Sequence, residues 1–114
     1  MTSTNEILQE ALVGRQLSAV TFVMDYFQLD FDGNRLTVYG PPVISLEQEI
    51  QGGFRDRLCA FIAHDVTSVR EVENVALYIL FEGFGQLSVL LDEESRVTVE
   101  AAELHSAGRT ILIW

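Results

Sequence analysis

Lysine is missing from this chain of 114 residues, and all seven of its basic residues are arginines. Against them stand seventeen aspartates and glutamates, for a formal charge of −10. So acidic a surface repels nucleic acid phosphates and anionic membranes, and neither is expected as a partner. It keeps a small protein soluble, and it also suits docking on a basic protein or mimicry of a nucleic acid. A single cysteine, Cys59, rules out an internal disulfide and fits a reducing, cytoplasmic compartment. No apolar run approaches the ~20 residues of a membrane span. The opening Met1-Thr2-Ser3-Thr4-Asn5-Glu6 lacks the basic start and apolar core of a signal peptide. With only two prolines and 48% apolar residues, residues 1–114 are expected to pack as one domain.

Catalytic and metal-binding signatures are missing too. Histidine occurs only as His64 and His105, in no H-x-x-H or H-E-x-x-H spacing, and the lone cysteine makes no Cys pair. No G-x-S-x-G elbow is present. Gly83-Phe84-Gly85 leads from one strand pattern into another, so no helix N-terminus follows to hold a phosphate. Cys59 and His64 lie five positions apart on a helical pattern, which puts them on different sides. No enzyme, cofactor or metal is therefore expected. The candidates for a polar site are Asp30, Asp32 and His64, with solvated strand faces and turn imidazoles as the ordinary reading.

What the chain does have is β pattern. Val75 to Phe81 and Leu87 to Leu91 are apolar runs flanking Glu82-Gly83-Phe84-Gly85-Gln86, a hairpin signal. The first run is apolar on both faces, Leu77, Ile79 and Phe81 on one and Ala76, Tyr78 and Leu80 on the other, so each face needs a cover. If helices do not cover Tyr78, Leu80 and Leu90, a second copy of the chain should, as a homodimer interface.

In chain order, Ser3 to Leu12 reads as a capped helix with the stripe Ile7, Leu8, Ala11, Leu12, stopped by Gly14. Residues 16 to 24 alternate as a strand. Phe27, Leu29 and Phe31 form the buried face of the next, with Gln28, Asp30 and Asp32 on the other. Asp32-Gly33-Asn34-Arg35 is a turn, from which Leu36 and Val38 return until Gly40-Pro41-Pro42. Ser45 and Gln48 have capping spacing for another helix, and Phe54 to Ile62 carries a second amphipathic stripe. Val66 to Val72 reads as a strand, Asp92 to Ser95 as an acidic turn. Residues 96 to 114 read as extended, with a turn at Ser106-Ala107-Gly108-Arg109, although Glu100 to Leu104 would also suit a short helix.

Two halves of the chain rhyme, about 12–40 and 58–91. Val20-Thr21-Phe22-Val23 matches Val66-Thr67-Ser68-Val69 at an offset of 46. Phe31-Asp32-Gly33 matches Phe81-Glu82-Gly83 at 50, and Leu36-Thr37-Val38 matches Leu87-Ser88-Val89 at 51. Those offsets put four extra residues between the first two strands of the second copy and one more in its hairpin. The copies depart before the first strand, where Gly14 has Ala60 or Ala63 as counterpart. One unit cannot cover its own apolar face, whereas two can share a core.

This doubled scheme of a leucine, spaced valines and alternating apolar residues ending in Phe-acid-Gly resembles small uncharacterised bacterial β-rich proteins, some of them immunity proteins encoded beside secreted toxins. The likeness spans most of residues 12 to 91. It implies an inhibitor of a basic toxin and carries no site residues. The expected fold is α+β: mainly antiparallel β, in two pseudo-repeated units forming a bent sheet, roll or small barrel, with two short helices. The expected function is a non-enzymatic protein-interaction module, against a ligand-binding protein or small enzyme with its site between the repeats.

Overall fold

A computed structural model describes residues 3–96 and 98–114 of the chain. Ser3 starts the first helix, α1 (Thr4–Leu12), by accepting a hydrogen bond from the Glu6 amide at 3.2 Å. The helix buries Leu8, Ala11 and Leu12. A three-stranded meander follows: β1 (Ala19–Val23), β2 (Tyr26–Phe31) and β3 (Asn34–Val38). Asp32 and Gly33 make its second turn, with φ of 49° and 100°, as a two-residue loop opposing Phe31 to Asn34 requires. Next come β4 (Val43–Leu46) and α2 (Phe54–Cys59). A second meander is built from β5 (Ser68–Val72), β6 (Ala76–Phe81) and β7 (Gly85–Leu90). After a 3-10 turn at Glu93–Ser95, β8 (Ala102–Ser106) and β9 (Arg109–Ile113) form a last hairpin.

The strands form two antiparallel sheets, ordered β1-β2-β3-β8-β9 and β4-β7-β6-β5. Among the described residues neither closes on itself, so the fold is α+β with open, bent sheets rather than a barrel. Each third strand hands its outer edge to the other half. The strand following β3 leaves to pair with β7, and the strand following β7 leaves to pair with β3. The helices cross over as well, α1 lying against β5 and α2 against β1. Asn5 of α1 satisfies the edge of β5, its amide oxygen accepting from Glu71 N at 2.7 Å. At the same residue the Trp114 indole, just past β9, donates to the Glu71 carboxylate at 3.1 Å. Leu8 and Leu12, Leu58 and Phe61, Leu29 and Leu36, and Leu77 and Ile79 all enter one buried cluster.

Backbone pairing gives the internal repeat its register. Gly14 N donates to Val66 O at 2.8 Å, and Ala63 N donates to Leu17 O at 2.7 Å. Val66 N donates to Arg15 O, and Leu17 N to His64 O. These bonds exchange under a two-fold rotation that equates Leu17 with Val66 and Gly14 with Ala63. The hydroxyls that follow agree. Ser18 Oγ donates to Asp30 O and accepts from Asp32 N, just as Thr67 Oγ1 donates to Leu80 O and accepts from Glu82 N. The first-strand offset is therefore 49, which corrects the 46 read from the valines. The offsets of 50 and 51 stand, so each hairpin of the second unit is longer by one residue.

Several sequence expectations give way. Ser45 caps no helix; it pairs with Gln86 inside β4, because an edge of β7 is open there. The second helix ends at Cys59, three residues before Ile62, and β5 starts at Ser68 rather than Val66. Residues 98–101 are irregular and strand begins at Ala102, with Val97 outside the described residues. The glycine mismatch leaves the geometry shared: Ala63 takes φ 76° where Gly14 takes 84°. A side chain in that region is strained. Ala63→Gly is expected to raise stability by up to about 1 kcal/mol, strain relief less the entropy cost of glycine, read as a higher thermal midpoint.

Candidate functional site

Pleating gives each sheet one face for the core and one for its surroundings. On the outer face of the first sheet, the pairings line up Asp30, Arg35 and His105, and beside them Gln28, Thr37 and Glu103. The former set, with Gln28 and Thr37, lines an open groove of about 450 Å³. Arg35 Nε donates to Asp30 Oδ1 at 2.9 Å, and His105 Nδ1 lies 3.0 Å from Thr110 Oγ1. With Arg35 46% exposed, this ion pair is worth well under ~1 kcal/mol and orders a polar surface more than it stabilises the fold.

Of the residues singled out from sequence, only Asp30 lines that groove. Asp32 is not its strand-face partner; it sits in the turn, where its carboxylate accepts from Gln16 N at 3.4 Å. His64 lies by the two-fold axis, its ring stacked on Phe84 with centroids 3.8 Å apart. Arg35 was within reach of a sequence reading, since a two-residue turn at 32–33 sets it opposite Asp30. His105 was not, because its place depends on β8 crossing from the other half. Cys59 is half-buried at the end of α2 and free. Among the described residues, no group of three or more His, Cys, Asp or Glu side chains could hold a metal ion.

The second sheet turns out a different surface. Register equates Val43 with Glu103, Tyr78 with Gln28, Leu80 with Asp30, and Leu90 with Tyr39. Leu90 is 40% and Val43 48% exposed, while Tyr78 and Leu80 are half-buried, with Arg70 5.5 Å above the Tyr78 ring. No acid stands at the outward positions of these four strands, in a chain that has seventeen.

Beside the groove, past the end of β3, the Tyr39 hydroxyl donates to Glu103. Tyr39 and Tyr26 lie with ring centroids 5.9 Å apart, facing a cleft of about 520 Å³ walled by Met24, Phe27 and Pro41. The bond to Glu103, then burial, then the charges of Glu103 and Glu100 push the Tyr39 hydroxyl up to a pKa of about 12. The unfolded phenol ionises near 10, so it releases its proton first as pH rises. Stability present below pH 10 is therefore lost between about 10 and 12. Over that window the wild type is expected to lose more stability than Tyr39→Phe in urea unfolding, by an amount that solvent screening of this partly exposed pair keeps below what the shift alone would give.

No family model, curated protein or solved structure matches the chain. No helix among the described residues is long and apolar enough to cross a membrane.

Proposed function

We propose that the protein is a non-enzymatic interaction module of the cytoplasm that engages a basic protein, in the manner of an immunity-type inhibitor. The observation that carries this is an unneutralised field. Of seventeen carboxylates, only Asp30 and Glu49 have an arginine within ion-pair distance among the described residues. Such a field steers a basic partner and speeds encounter, at a rate that falls with salt. The outer face of the second sheet, with Tyr78, Leu80 and Leu90, adds apolar area that a partner or a second copy would bury. The polar groove at Asp30, Arg35 and His105 favours a second reading, a small polar ligand bound on the first sheet rather than between the repeats.

The test is capture from lysate at low and high salt by the wild type and by a Leu80→Asp/Leu90→Asp variant. A basic protein that is released by salt and lost from the variant is the expected result. Capturing nothing basic, while a small polar ligand shifts the amides of Asp30, Arg35 and His105, would sink it.

A further inference from the structure

We infer that the cleft between Tyr26 and Tyr39 receives a cationic side chain, the guanidinium or ammonium group of an arginine or lysine on a basic protein. This deepens the reading above and rests on it, by naming where that partner is gripped.

The chemistry of the walls selects a cation. Two tyrosine rings, tilted 53° to one another, face a cleft large enough for a long side chain. Aromatic faces are negative, and the phenol of Tyr39 donates its proton to a carboxylate, which enriches the ring further. Asp25 lines the cleft, and the charges of Glu103 and Glu100 both reach Tyr39. None of these three acids has an ion-pair partner among the described residues. Arg96, in the adjoining hollow, directs its donors to the carbonyls of Leu91 and Val99, at 3.0 and 2.8 Å. Arg35 is held by Asp30. Met24, 92% exposed at the mouth, offers an adaptable apolar wall for the stem of an arginine or lysine.

The internal repeat separates this cleft from the requirements of the fold. At the positions equivalent to Tyr26, Tyr39 and Glu103, the other half carries Ala76, Leu90 and Val43. The same strands and register hold there without any of the three. The aromatic and acidic groups are thus an addition to one copy of a scaffold that stands without them.

The experiment titrates the full chain with acetyl-Gly-Arg-Gly-amide at low salt and follows backbone amide shifts by NMR, with the citrulline peptide as an uncharged control. Shifts are expected to concentrate at residues 24–27, 39–40 and 103, with the citrulline peptide silent. Tyr39→Ala should weaken binding about tenfold, the loss of one cation–π contact, whereas Tyr39→Phe keeps the ring and should bind within about threefold of wild type. Unchanged amide shifts in β5 and β6 certify that each variant is folded, and a Glu100→Gln/Glu103→Gln variant should bind as poorly as Tyr39→Ala. Shifts scattered over the acidic surface, or equal binding of citrulline, overturn the cleft and leave the basic-partner reading in place. No response to the arginine peptide anywhere on the protein overturns both.

Discussion

Replacing Phe61 with alanine is expected to cost about 4 kcal/mol, a large share of the 5–15 kcal/mol typical of a domain. Phe61 is fully buried and meets Phe81 and Phe84 edge-to-face, at centroid distances of 5.0 and 4.9 Å. It lies two residues before Ala63, where the two halves exchange backbone bonds. A hole there would be walled by Phe81 and Phe84, both held in the β6–β7 hairpin, so it can close only by moving that hairpin. Urea unfolding should show a much lower midpoint with the slope preserved. A loss below about 1 kcal/mol would mean that the aromatic cluster does not anchor the segment after α2 to the β6–β7 hairpin.

Gly85→Ala is expected to cost about 3 kcal/mol for the opposite reason, overfilling. A Cβ there would lie 2.5 Å from the carbonyl oxygen of Ser45 and 3.1 Å from Cζ of Phe61. The first of these is backbone, so β4 itself must move away from β7. Hydrogen exchange should find residues 43–46 losing protection well before those of β5 and β6. Uniform loss across the sheet, or none, would contradict this account. The equivalent position in the other half is Asn34, whose side-chain amide reaches Ala11 O at 2.8 Å. That half takes a side chain at this position even though β8 pairs with Asn34 at Ser106 as β4 pairs with Gly85 at Leu46.

What was legible in the sequence was local. The cap at Ser3, the stripe of α1, the Asp32-Gly33 turn and the hairpin after Val75 depend on near neighbours, and the structure keeps them. The doubled apolar faces of β6 were legible because alternation failed there, and Tyr78 and Leu80 do face outward, with no helix over them to bury them fully. The repeat was found but misaligned. Matching valines equated Val20 with Val66, whereas Leu17-Ser18 and Val66-Thr67 share the buried residue and the hydroxyl that ties strand to turn. An error of three positions is odd, and in a strand an odd slip turns every side chain to the wrong face. Ser45 misled because capping spacing is a short-range cue, while its strand is decided by a partner, Gln86, 41 positions away. The groove was half legible for the same reason: Asp30 and Arg35 meet across a tight turn, and His105 arrives from the far side of the chain.

The exchange of outer strands bears on how the chain reaches this state during synthesis. The first meander emerges early, but β8, the neighbour of β3, follows more than sixty residues later. Until then the nascent half shows an unpaired edge, and a charge-repelling exterior is its protection against joining another chain. Long-range pairings of this kind slow the search, so folding is expected in one late step, once both halves are out of the ribosome.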